Sequence, residues 1–265
     1  MASRKEQKEA ARQQRLAEER ARAERDRRTR RLRMLGGTVV GAIAVVVVAI
    51  AISSGGGSAQ AVAPNSTAAK TAQSKVNTLL AGIPQQGNTL GSPSAKVTLT
   101  EYGDLVCPVC KDFALGAENQ LIANEVRQGK VKIVYKALET ASQQANNSMF
   151  VPSQTAALAA GNQKKGWNYI ELFYHEQGDE TSSYVTDKYL SGLAGQIPGL
   201  NVSQWSSDRQ SSSLTSKVTA DQQAAAAAGY NSTPTLLVSG PKSQAQPIVG
   251  SATYKQLQSA INSVS

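Results

Sequence analysis

Residues 96–102 alternate between polar and β-branched or aromatic positions, Lys96, Val97, Thr98, Leu99, Thr100, Glu101, Tyr102. That period of two predicts a strand. Residues 107–128 change period and place Phe113, Leu115, Leu121, Ile122 and Val126 at helical spacing. A helix is expected there, with a kink near Gly116 and an end at Gly129. Residues 131–138 alternate again and read as a second strand. Residues 140–228 are expected to be helical with breaks. They hold an Ala-rich stretch at 148–162, an aromatic face at 166–177, short helices at 185–197 and 202–209, and a longer one at 213–229. Residues 234–239 and 246–249 return to strand around a hairpin-like turn at 240–243, and 251–264 close as a helix. The order is βαβ, a helical block, then ββα. One sheet of about four strands flanked by helices follows, with 140–228 as an insertion. The first pair is expected to be parallel with a right-handed crossover.

The N-terminal quarter follows other rules. Leu35 to Ile52 is an uncharged run of 18 residues, mostly Val, Ala, Ile and Gly. That is close to the lower limit for crossing the hydrocarbon core, about 17–25 residues. Arg27, Arg28, Arg30, Arg31 and Arg33 precede it, and the next charge is Lys70. Positive charge stays on the cytoplasmic side. The expected layout is a basic cytoplasmic arm at 1–33, a single transmembrane helix at 34–53, a flexible linker at 54–75 and an extracytoplasmic domain at 76–265. A cleaved signal peptide is the competing reading, since Ala59-Gln60-Ala61 and Ala61-Val62-Ala63 resemble cleavage sites. In both readings the domain lies outside the cytoplasm, where disulfides persist.

Charge sharpens this division. The chain has a formal net charge of +9 over 265 residues. Residues 1–33 carry 13 Lys/Arg against 6 Asp/Glu, while the rest carries 15 against 13. The basicity belongs to the arm, so the domain has no charge signature for nucleic acid.

The chemistry concentrates in one stretch. Cys107 and Cys110 are the only cysteines of the chain. They fall where the first strand gives way to the first helix. Free N–H groups and the positive end of the helix dipole favour a thiolate there, and the thiolate is the reactive form. Pro108 suits the first helical turn. A disulfide this short constrains an unfolded chain very little. A zinc site needs about four ligands, whereas the chain offers two Cys and a single His175, which is read as a packed or surface residue. Redox exchange is therefore the expected use of the pair. Glu101, six residues before Cys107, is either a solvent-facing strand residue or a half-buried carboxylate behind the pair.

With these motifs in place the chain resembles the DsbA-like thioredoxin-fold oxidoreductases. The match is carried by Leu90-Gly91-Ser92-Pro93-Ser94-Ala95-Lys96-Val97, by Glu101 through Cys110, and by Ala227-Ala228-Gly229-Tyr230-Asn231-Ser232-Thr233-Pro234-Thr235-Leu236. It spans about residues 83–264. The resemblance implies a thioredoxin fold and a nucleophilic, more exposed Cys107. It implies a buried resolving Cys110, a cis-proline at Pro234 preceded by Thr233, and an acid at Glu101. Thr233, Pro108 and Val109 are then expected to meet substrate, with the Thr233 backbone free to pair with an extended chain. It implies no cofactor beyond the Cys107–Cys110 disulfide and no metal. The implied partners are reduced or unfolded extracytoplasmic proteins and a membrane quinone-linked thiol oxidase, and the apolar run adds the lipid bilayer. Val109 departs from the His that strongly oxidising members carry. The direction of exchange is left open between disulfide donor and reductase or isomerase, with a non-catalytic binding module as a further alternative.

Overall fold

The computed structural model describes residues 66–142 and 148–265. The arm, the apolar run at 34–53 and most of the linker lie outside the described residues. Among the described residues no helix is long and apolar enough to cross a membrane.

Residues 67–75, expected within the linker, are helical instead. They open α1, Thr67–Leu80, capped by the Ser66 hydroxyl, which accepts from the Ala69 N–H. Ala69, Ala72, Val76 and Leu80 make its buried stripe. The small apolar residues that gave this segment a linker composition also satisfy the spacing of a packed helix face. Arg127 fixes the far end of α1 by donating to the carbonyls of Leu79 and Ala81 at 2.6 and 2.7 Å.

Among the described residues the sheet has six strands rather than four. β1 (Gln85–Gln86) and β2 (Thr89–Leu90) form a small hairpin, followed by β3 (Val97–Gly103), β4 (Val131–Ala137), β5 (Thr235–Ser239) and β6 (Ile248–Val249). Their order is β1-β2-β4-β3-β5-β6. β3 and β4 are parallel, and the other pairs are antiparallel. β3 is central, with Glu101 opposite Tyr135 on one side and Leu236 on the other.

Helix α2 covers 108–126 and crosses from β3 to β4. It starts as Pro108–Phe113, widens into π-turns at Ala114–Glu118 and Ile122–Val126, and keeps an α-turn at Asn119–Leu121 between them. Gly116, where a kink was expected, lies inside the first π-turn. Cys110, Phe113, Ala114, Ala117, Glu118, Leu121, Ile122 and Val126 form the buried face.

The insertion supplies α3 (Phe150–Asn162), α4 (Gly166–His175), α5 (Asp187–Gly195), α6 (Val202–Asp208) and α7 (Ser212–Ala227), and the chain ends in α8 (Tyr254–Val264). α4 is the hub of this layer, with Trp167, Tyr169, Ile170, Leu172, Phe173 and Tyr174 buried. The Trp167 indole donates to the Asn88 carbonyl and the Trp205 indole to the Ala156 carbonyl. Two glycines bring α3 and α4 against the β1–β2 turn. A Cβ on Gly161 would stand 2.7 Å from the Gly87 carbonyl oxygen, and one on Gly166 would stand 2.6 Å from it. Gly161→Ala must push backbone away from backbone, and is expected to lower stability by about 1–3 kcal/mol in urea unfolding. Unchanged stability would show that this approach is loose.

Candidate functional site

β3 ends at the centre of the sheet edge, and residues 104–107 turn the chain into α2. Asp104 organises that turn. Its buried carboxylate accepts from the N–H groups of Val106, Thr140 and Ser142 at 3.0–3.1 Å and from the Ser142 hydroxyl. Gln177, just past α4, donates to the carbonyls of Leu105 at 2.7 Å and Cys107 at 3.0 Å. Cys107 is the N-cap of α2, and its carbonyl takes the first helical bond from Lys111. Pro108 occupies the first turn, as its missing N–H allows.

The two cysteines are free thiols on one side of that first turn. Cys107 was expected to be the more exposed, and the order holds while the contrast is small: 5% against 0% for Cys110. The exposed rim is Pro108 and Val109, with Val109 at 42%. Across from the pair, the Thr233–Pro234 peptide bond is cis. The Cys107 sulfur lies 3.8 Å from the Thr233 carbonyl oxygen. The Thr233 hydroxyl contacts the Thr140 hydroxyl. The structure therefore brings Cys107, Cys110, Pro108, Val109, Thr233 and Pro234 together, and Glu101 lies beneath them in the core. His175, at the end of α4, is half-buried, and burial together with Lys75 and Lys111 lowers its pKa. Among the described residues no cluster of His, Cys, Asp and Glu could hold a metal.

The electrostatics separate the two sulfurs. The Cys107 pKa falls to about 6. The largest cause is the Cys110 thiol, which donates to the Cys107 sulfur; the Thr233 hydroxyl and the N–H groups of Cys110 and Val109 add to it, and burial opposes them. Cys110 moves the other way, well above the usual thiol value, through burial, then its hydrogen bond to the Cys107 sulfur and the charge there. Glu101 is fully buried and has no N–H or hydroxyl donor to its oxygens. Burial raises its pKa to about 7, eased by Glu118 and reinforced by Cys107. An easily ionised sulfur beside one that resists ionisation is the arrangement that thiol–disulfide exchange requires. A cleft of about 660 Å³ opens beside Thr140, bordered by Leu138, Glu139, Gln222, Tyr230 and Asn231.

The family model for thioredoxin matches residues 85–263. The chain belongs to the thioredoxin family. Within it, similarity extends to the probable disulfide bond formation protein D of Bacillus anthracis, 24% identical over 167 residues, which cover 63% of this chain and 75% of that one. Among solved structures, oxidised BdbD from Bacillus subtilis superposes with a TM-score of 0.58 at 20% identity, covering 68% of this chain and 96% of that one. DsbA of Chlamydia trachomatis gives 0.56 at 18%, covering 66% and 90%.

This thioredoxin-family site also holds residues that sequence patterning did not single out. Asp104 follows the strand directly and precedes a helix, a position where short acids commonly bind nearby backbone. Glu118 sits two turns past Cys110 on the same helical face. Glu171 is the one acid in the otherwise apolar and aromatic run of α4, and that isolation was a usable signal. Gln177 and Thr140 gave no signal, because only tertiary packing brings them to the turn.

Two outcomes follow from this geometry. In the reduced protein, iodoacetamide should modify Cys107 with half-maximal rate near pH 6 and leave Cys110 untouched through the neutral range. Cys110→Ala should move that midpoint upward, and a midpoint at the value of a free thiol in both proteins would contradict the assignment. Asp104→Ala strands several buried donors and is expected to cost about 2–4 kcal/mol in urea unfolding. An effect below about 0.5 kcal/mol would mean that the turn holds without it.

Proposed function

We propose that this thiol–disulfide oxidoreductase donates disulfides to reduced or unfolded proteins outside the cytoplasm. The observation that carries the reading is the low pKa of Cys107, about 6, beside a high-pKa Cys110. A stabilised thiolate favours the reduced pair, so the disulfide form gives up its bond readily. That stabilisation comes from neighbouring donors and needs no cation at Val109.

A substrate thiolate attacks the Cys107 sulfur of the oxidised pair. The bond to Cys110 breaks, and its electron pair leaves on the Cys110 sulfur, which takes up a proton. A second substrate thiolate attacks the substrate sulfur of the mixed disulfide, and Cys107 departs as thiolate. Two substrate thiols become one disulfide, and the active-site disulfide becomes two thiols. Thr233 and the exposed Pro108 and Val109 border the attacked sulfur, and the cleft beside Thr140 offers the adjoining chain a path. Glu101 serves the proton exchange of Cys110.

The apolar run at 34–53 anchors the domain on the outer face of the cell membrane, with the basic arm at 1–33 inside and residues 54–66 as the tether. Similarity to a protein named for disulfide bond formation supports donation over reduction. A quinone-linked thiol oxidase of the same membrane restores the disulfide. The test is turnover with a reduced two-cysteine peptide. Cys107→Ser should abolish it, and Cys110→Ser given the disulfide form of the peptide should hold a mixed disulfide through Cys107. In cells the wild-type pair should be found mostly as disulfide. Retained turnover in Cys107→Ser, or a pair held mostly as dithiol, would overturn the reading.

A further inference from the structure

Beneath Cys110 the core holds three glutamates from three elements. Glu101 comes from β3, Glu118 from the buried face of α2 and Glu171 from the middle of α4, and all three are 0% exposed. None of their six carboxyl oxygens accepts from an N–H or hydroxyl group, and the nearby Tyr174 hydroxyl is buried without a partner as well. Glu101 and Glu118 are close enough that one proton would bridge them. Among the described residues, the other titratable groups coupled to this cluster are Cys107 and Cys110 at the start of α2, Tyr135 of β4 and Tyr174 of α4, with Asp104 of the turn bordering Tyr135. None of them is a cation. Three carboxylates cannot all stay ionised in so dry a space without a counter-charge. The cluster must hold protons.

We propose that Glu118 and Glu171, together with Glu101, form a shared proton store beneath Cys110, which protonates that sulfur when the disulfide opens and takes the proton back when it closes. The proposal rests on the exchange chemistry assigned to the pair above. When a thiolate attacks Cys107, the electron pair of the broken S–S bond goes to Cys110. A proton bridging Glu101 and Glu118 passes to that sulfur, and the charge left behind is shared with the proton on Glu171. In the reverse direction the Cys110 thiol returns its proton to the cluster as its sulfur closes on Cys107. The store is poised for both directions. Burial raises Glu101 to about 7 and Glu171 to about 8, and lifts Glu118 well above the usual carboxylate value, where the charges of Glu101 and Glu171 add to it. The store also senses the redox state, because a thiolate on Cys107 raises the Glu101 pKa.

The test uses the full chain, oxidised and then reduced by dithiothreitol, with the rate expressed per dithiothreitol thiolate from pH 5 to 10. In the wild type the rate should fall as the store empties above neutral pH. Glu171→Gln removes a like charge that raises Glu118, so the store should empty, and the fall be complete, at lower pH. Glu118→Gln removes the bridging partner and should slow the reaction about tenfold at neutral pH, with Glu118→Asp recovering part of the loss. A merely structural role would move none of these profiles. Infrared difference spectra of the wild type, reduced minus oxidised, should show protonated-carboxyl bands that shift with redox state. This second measurement decides the matter if the Gln variants do not fold. Superimposable profiles, or spectra silent in the carboxyl region while the pair cycles normally, would overturn the proton store and leave the exchange reading intact. A wild-type pair that cannot be cycled would overturn both.

Discussion

The organising constraint is a sulfur anion held at the first turn of a helix. An α-helix leaves its first N–H groups without internal partners, and here those of Val109 and Cys110 face the Cys107 sulfur. The strongest single contribution is nevertheless a thiol, the one on Cys110, donated from one turn onward. The resolving cysteine therefore has two uses. In the disulfide it is the bonded partner, and in the dithiol it is the donor that keeps Cys107 ionised. Everything around the pair fixes this geometry. Asp104 ties the turn to residues 140–142, Gln177 ties it to the end of α4, and the Thr233–Pro234 segment closes the opposite side.

Holding one sulfur ionised makes the other a problem for the fold. Cys110 is buried on the face of α2 that packs on the sheet, so its thiolate form is strongly disfavoured. Each opening of the disulfide places charge there. The carboxyls of Glu101, Glu118 and Glu171 are the titratable groups able to answer it, and the absence of a cation among their described neighbours keeps their protons bound near neutral pH. The price is a core with three acids where apolar side chains would pack, retained beside the reacting sulfur.

The βαβ unit and the terminal ββα unit were legible because their periods are clean. Lys96 to Tyr102 alternates, the segment after Cys107 repeats helically, and Gly129 ends it. The cysteine pair could be placed at the junction for the same reason, and Thr233–Pro234 was reached through family resemblance. The β1–β2 hairpin was not legible from periodicity, because strands of two residues carry no period. Helix α1 was hidden by a composition of Ser, Ala, Thr and Gln that suits a tether equally well. The acids of α2 and α4 were not singled out because pattern reading expects acids outside. Glu118 and Glu171 occupy the buried face, and their reason for being there is each other and the sulfur above them.

The Cys107 thiolate stabilises the reduced pair, and comparing the stabilities of the two redox forms tests this most directly. A Cys107 pKa lowered from the usual value of 9.0 to about 6 gives the reduced protein stability that is complete above the unfolded value and is lost as pH falls through the folded one. Urea unfolding of the oxidised and reduced chains across pH 5–9 should therefore find the reduced form more stable at neutral pH, with an advantage that falls steadily as the pH drops from 9 and is gone below about 6. A disulfide form that is the more stable at neutral pH, by a margin independent of pH, would contradict the account.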